Sequence, residues 1–364
     1  MRRYALTMIL LFSILLGGCE SWMNGSYLSV KPHQEQDSRP GNGSSEVASY
    51  LELRDALSDL VAGGIQKGVI YITGFEEATI RSYMDNAIRY VRTNTALGAY
   101  AVDKISYDLG TNSGKQAAAV EITYIHNRSE ILRIKSAEDM DAAVDMITSA
   151  LEKCDASVVL RVREFADKDF TQLVQDYMDA HPESCMEMPQ VTAAVYPDSG
   201  VERVIEVTFT YQTSREALRA MQERVRPVFA SARLYVSGDA PVQQKYAQLY
   251  SFLMERYDYT VETSITPSYS LLCHGVGDSR AFAVTYAAMC TQAELECWVV
   301  SGTRAGEPWF WNIICDDGTY YHVDLLLCNS AGGFQGWLDE NMVGYVWDYS
   351  AYPVCKAPEE EEPE

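Results

Sequence analysis

The chain predicts a mixed α+β protein, two tandem βαββα-type repeats followed by a third α+β domain, on three observations. Residues 49–237 repeat themselves weakly, with a period of roughly ninety residues. Within the repeats, apolar residues recur either at every second position or at helical spacing, the signatures of strand and helix. Residues 271–324 run from a helical apolar stretch, with Ala281, Val284 and Ala288 on one face, into apolar segments on either side of Asp316-Asp317-Gly318, a hairpin signal.

At 364 residues the chain is long enough for two or three domains, each with its own core. Its apolar content of 47% and charged content of 22% are those of a globular protein. The first residues stand apart. Arg2 and Arg3 precede an apolar run over residues 5–16, followed by Gly17, Gly18 and Cys19, which is a signal-peptide pattern too short for a permanent span. Leu16-Gly17-Gly18-Cys19 resembles the lipobox of bacterial lipoproteins, which implies that residues 1–18 are removed and Cys19 is lipidated. No other stretch is long and apolar enough to cross a membrane, so the expected location is the extracytoplasmic face of the cell membrane, held by lipid alone. Residues 19–48 are rich in Ser, Gly, Asn, Gln and Pro and are expected to form a flexible tether.

The first repeat is expected over residues 49–151 and the second over 152–238. Val69-Ile70-Tyr71-Ile72 with Phe75 returns as Val159-Leu160-Arg161-Val162 with Phe165, and Glu121-Ile122-Thr123-Tyr124 returns as Glu206-Val207-Thr208-Phe209. Residues 129–133 (SEILR) echo 214–219 (SREALR), so each copy predicts strand, helix, two strands, helix. Ile80, Met84, Ile88 and Val91 share one helical face, whereas Ile205, Val207 and Phe209 lie opposite Glu206, Thr208 and Thr210 on a strand. A further helix is expected to open with Ser136 and Asp139 as a capping box and to bury Met140, Val144, Ile147 and Leu151. These stripes predict cores. His126, His181 and Cys154 are expected to be ordinary core or surface side chains, and no metal spacing, phosphate loop or cofactor site is present in either copy.

The net charge is −22 and residues 353–364 end in Glu359 to Glu362, an acidic tail expected to be disordered. Such a field repels nucleic acid, which is excluded as a partner. Setting aside Cys19 leaves eight cysteines, an even set consistent with disulfides outside the cytosol. Cys154 and Cys185 fall together in the second copy, and Cys315 and Cys328 flank the hairpin.

Residues 239–352 form the last domain. Gly275, Val276 and Ala281, then Trp311-Asn312, then Gly318, Tyr320, Tyr321, Val323 and Asp324 follow one another in the order found in transglutaminase-like proteins of the papain superfamily, which the segment resembles. In that family a cysteine opens a buried helix in a G-V-C-x-G-Y-A segment, a strand carries H-A-W-N, and the returning strand G-x-W-Y-x-V-D supplies an aspartate. The resemblance implies a papain-like α+β fold. It places Gly277 at the cysteine, Trp309 at the histidine and Asp324 at the aspartate.

A cysteine hydrolase or acyl transferase needs a thiolate, a base and a group that orients the base. Gly277 has no nucleophile, and the Trp309 indole only donates. Losing a nucleophile costs on the order of 10⁴ to 10⁶ in rate. The domain is therefore expected to bind rather than cut, with Trp309, Phe310, Trp311, Tyr320 and His322 facing a peptide, glycan or protein of the envelope. The competing expectation is an active enzyme with a relocated triad of Cys273, His322 and Asp324, since His322 and Asp324 share a strand face.

Changing Cys19 to Ala is expected to release the protein from the membrane fraction. Retention of the variant there, with no lipid on the wild type by mass spectrometry, would contradict the anchor.

Overall fold

The computed structural model describes residues 43–357; Cys19, the leader, most of the tether and the acidic tail lie outside the described residues. The mixed α+β composition holds. The first sheet has the strand order β1-β2-β4-β3, from β1 (Ser44–Val47), β2 (Lys67–Ile72), β3 (Val102–Asn112) and β4 (Lys115–Tyr124). The pair β1–β2 is parallel and the other pairs are antiparallel. Two helices, α1 (Tyr50–Ala62) and α2 (Glu77–Asn94), cover one face and bury Leu53, Leu57, Ile80, Met84 and Val91 against Ile70, Ile72, Val120 and Ile122. α1 starts where it does because the Ser49 side chain accepts from Glu52 N.

A short helix α3 (Ala96–Ala101) and a single turn α4 (Arg128–Ile131) lead to the second sheet. That sheet consists of β5 (Lys135–Asp139), β6 (Ser157–Glu164), β7 (Gln190–Tyr196) and β8 (Arg203–Thr210), in the order β5-β6-β8-β7. β5–β6 is again the parallel pair. α5 (Met140–Glu152) and α6 (Phe170–Ala180) cover it, with Ile147, Leu151, Val174 and Met178 packed on Leu160, Val162, Ile205 and Val207. Ala96, Tyr100, Ala101, Ile131 and Val204 form a separate apolar cluster that joins α3 and α4 to the open face of this sheet.

The expected order of elements within each copy changes. A parallel strand and helix precede the strand first recognised in each case, so Lys135–Glu152, expected at the end of the first copy, is hydrogen-bonded into the second sheet through Lys135↔Leu160 to Asp139↔Glu164. The physical reason is that β1 and β5 are edge strands with one buried side chain each, Val47 and Ala137, and so carry no alternation. Ser136 lies in β5, and Asp139 alone caps α5 by accepting from Ala142 N at 2.9 Å.

α7 (Arg215–Ala230), expected to close the second copy, belongs by packing to the last domain. Its Leu218, Val225 and Phe229 share a core with Tyr246 and Leu249 of α8 (Val242–Met254) and with Phe282, Tyr286 and Met289 of α9 (Ser279–Gln292). Before α9 the chain makes a two-residue parallel pair, β9 (Asp258–Tyr259) with β10 (Val276–Gly277). After it come β11 (Cys297–Arg304), β12 (Glu307–Asp316), β13 (Thr319–Val323), α10 (Leu325–Ala331) and β14 (Tyr345–Trp347), in the sheet order β13-β12-β11-β14. Every residue of α9 from Ser279 to Cys290 except Arg280 is buried. The hairpin turns at Asp317 and Gly318, both at positive φ, as an Asp-Gly pair predicts. Tyr246 ties α8 to the sheet by donating to the Glu296 carbonyl at 2.6 Å and the Cys315 carbonyl at 3.1 Å.

In this structure none of the eight described cysteines is bonded to another, Cys315 and Cys328 included. No described helix is long and apolar enough to cross a membrane.

Candidate functional site: a rebuilt triad

The site begins at the N-terminus of α9. Asp278 caps it, its Oδ1 accepting from Ala281 N at 2.9 Å, so the first residue of the buried helix is Ser279. Gly277, expected at the nucleophile position, lies one step earlier in β10 with no room for a side chain: a Cβ there would sit 2.7 Å from Ala281 Cβ and 3.1 Å from Leu271 Cδ1. The first side chain of the buried helix is that of Ser279. Read two residues later, Gly277-Asp278-Ser279-Arg280-Ala281-Phe282-Ala283 keeps the glycine, the aromatic and the final alanine of the family segment, with a hydroxyl where the thiol would be. The signal was present in the sequence as Asp278, a helix-capping residue ahead of an apolar run. Ser279 is 7% exposed, and its Oγ accepts from Phe310 N at 3.3 Å, which fixes α9 against β12 beside Trp309.

Trp309 is half-buried in β12, where it pairs with Gly302 of β11. Its Nε1 donates to Asp324 Oδ2 at 2.8 Å. The Arg304 guanidinium stands 5.1 Å above the indole, and the Tyr259 ring lies 5.8 Å away. Asp324 itself is 1% exposed and receives four further donors: Tyr345 OH at 2.6 Å, Arg304 Nη1 at 3.4 Å, Leu326 N at 3.0 Å and Leu327 N at 3.1 Å. The last two make it the N-cap of α10. Burial and this carboxylate push the Tyr345 phenol well above its ordinary range, so it stays a donor.

The other expected residues separate into two groups. Phe310 and Tyr320 are half-buried, Phe310 with Arg280 5.5 Å over its ring and Tyr320 edge-on to Trp298 at 5.5 Å. Arg280 is held by Asp179 of α6 at 2.7 Å, so the second sheet's unit braces the first turn of α9. Trp311 and His322, expected to line a groove, are core: they are 1% and 0% exposed. Trp311 lies over Gly302, where a Cβ would come within 2.8 Å of its ring.

The relocated triad is not assembled. Cys273 is exposed on the π-turn Ser270–His274, its thiol raised by partial burial. Both nitrogens of His322 are taken elsewhere: Trp311 Nε1 donates to Nδ1 at 2.9 Å, and Nε2 faces Asp339 Oδ1 at 2.9 Å. An indole only donates, so Nδ1 carries the lone pair and Nε2 carries the proton that goes to Asp339. His322 is a neutral link between two fixed partners.

This assignment also decides a possible metal centre. His322, Asp339 and Cys355 bring a nitrogen, an oxygen and a sulfur within 4.8 Å of one another, a donor set that zinc accepts. They do not fit a cation, because the nitrogen facing the cluster is the protonated one. The Cys355 thiol is also pushed up to about 12 by burial and by the Asp339 charge. Arg304, Tyr345 and Asp339 carried no signal in the sequence, since the sheet register and the returning C-terminal segment bring them in.

Taken together, the arrangement sets the Ser279 hydroxyl at the start of α9 and a half-buried indole under a guanidinium on β12, and that indole donates but cannot accept a proton. Among known proteins, the profile of the transglutaminase-like superfamily matches residues 230–338, so that segment of the chain is similar to that superfamily. Two solved structures are similar: one named as the crystal structure of a TGase, at 10% identity and a TM-score of 0.26 over 53% of this chain, and one from Parabacteroides distasonis named as a candidate protease, at 9% identity and 0.23 over 70%. The matches span 58% and 39% of the length of those chains. No curated protein matches the chain.

Burial lowers the pKa of His322 against the opposing pull of Asp339. Between its depressed folded value and its unfolded value of 6.5, the unfolded chain binds the extra proton. This contribution to stability is therefore intact above 6.5 and lost as pH falls below it. His322→Gln keeps an acceptor for Trp311 and a donor for Asp339, and is expected to flatten that acid limb of the melting temperature against pH. Equal acid sensitivity in both proteins would contradict the assignment.

Proposed function

We propose that the protein is an exported, lipid-anchored envelope lipoprotein whose transglutaminase-like domain binds a peptide, glycan or protein partner without cleaving it. The observation that carries this reading is the bond from Trp309 Nε1 to Asp324 Oδ2. The indole makes the hydrogen bond that an orienting carboxylate makes to a catalytic histidine, and has no lone pair to take a proton afterwards. Ser279 in place of the thiol presents a hydroxyl, which is a weak nucleophile unless a base takes its proton, and the Trp309 indole cannot take it.

Lipidation at Cys19 fits the leader in front of it and the tether behind it. The two four-stranded sheets, with one strand order and one parallel pair each, support the reading that they are copies of one duplicated unit. The second copy holds the cleft helix through Asp179 and Arg280, a supporting rather than a chemical role.

Purified protein is expected to show neither peptide hydrolysis nor transamidation. Trp309→Ala is expected to weaken binding of the partner recovered by cross-linking from the native envelope by about 1–3 kcal/mol. Isothermal titration and a fluorogenic peptide assay check the two statements. Turnover that is lost on changing Cys273 or His322 would replace this reading with the cysteine-enzyme alternative.

A further inference from the structure

Outside the cleft, the seam between the second sheet and the last domain holds two buried thiols in one closed space. Cys154 follows α5 directly, at a φ of +51°, and Cys185 sits in the loop after α6, its amide donating to the His181 carbonyl. They are 5% and 8% exposed. Both line a void closed by Leu151, Met178, Met186 and Tyr211, too small to admit water. A single buried amide marks their proximity. Gln222 Nε2, on α7, donates to Cys154 Sγ at 3.5 Å and to the carbonyl of Ser184, the residue before Cys185.

Burial raises both thiols, that of Cys154 against the opposing charges of Arg215 and Arg219, so at neutral pH they are protonated and unreactive in the folded state. The one metal-type cluster among the described residues, His322, Asp339 and Cys355, lies elsewhere. Pairing them would leave no polar group unsatisfied, because a disulfide sulfur still accepts from Gln222.

We propose that Cys154 and Cys185 are the partners of a structural disulfide, formed as the chain folds in an oxidising compartment. The oxidant is a second disulfide, of a small thiol or of an oxidoreductase. Each cysteine gives up a proton, the S–S bond forms, and the two electrons reduce the oxidant to two thiols. The bond closes the chain around β6 and α6 and fixes the loop that carries Met186 under α7, where Cys154, Met186 and Leu218 belong to the same core as Tyr246 and Phe282. It would thus staple the joint through which the second sheet's unit supports α9. This inference stands independently of what the cleft binds.

The full chain is unfolded, refolded in a glutathione redox buffer, quenched in acid, alkylated and mapped by mass spectrometry. The expected product is one cross-linked peptide pair joining Cys154 to Cys185, two hydrogens lighter than the thiols. Reductant is expected to lower the melting temperature of this product by roughly 5–10 °C, a dependence that Cys154→Ser removes. Alkylation of both cysteines after oxidative refolding, or linkage of either one to a different cysteine, would overturn the proposal. The wild-type peptide map decides this even if the serine variant fails to fold.

Discussion

A carboxylate at 1% exposure is the constraint on which the last domain depends. An isolated buried charge costs several kcal/mol, and Asp324 is tolerable only because five donors converge on it. Those donors come from β12, β11, β14 and the first turn of α10, so satisfying one side chain locks together most of the sheet and the helix after it. Such a node constrains every residue that donates to it. Removing the carboxylate would strand Arg304, Tyr345 and Trp309 together, whereas replacing the base with another donor leaves the network whole. This accounts physically for an aspartate kept beside two substituted partners.

A second network runs parallel to the first, from Trp311 through His322 to Asp339 and on to the amide of Cys355. It fastens the C-terminal segment onto the sheet. The two chains of polar contacts occupy one face of β12, through Trp309 and Trp311, while the Phe310 ring on the other face meets Arg280 and the Phe310 backbone amide donates to Ser279 Oγ. β12 thus carries the information of the site on both sides, and its alternation explains why neighbouring aromatic residues have such different fates.

Much of this was legible in the sequence, and the failures have identifiable causes. The buried helix and the Asp-Gly hairpin announce themselves by periodicity and turn chemistry, and the Trp-Asn strand and Asp324 by the family resemblance. Gly275 and Gly277 both offer the glycine of the family segment, so the sequence allows two alignments; the cap at Asp278 and the lack of space at Gly277 favour the one that ends on Ser279. β1 and β5 left no alternation to detect, since each buries a single residue. Trp311 and His322 appeared as groove residues because a sequence shows which face a side chain takes but not what later covers it, here the segment carrying Trp337 to Trp347. Arg304 and Tyr345 meet only through the pairing of β11 with β14, which is not visible before the sheet is assembled.

The central claim is that Ser279 and Trp309 hold the positions of a nucleophile and its base, and the most direct measurement is thiol reactivity in a stepwise restoration. Ser279→Cys alone, the same variant with Trp309→Ala, and the same variant with Trp309→His are compared by the rate of iodoacetamide alkylation between pH 5 and 9. The account predicts an ordinary, slow thiol in the first two and, in the third, a rate at pH 6 faster by about tenfold or more, as an imidazole held by Asp324 stabilises the thiolate. Equal rates and pH profiles in the Trp309→Ala and Trp309→His backgrounds would contradict it.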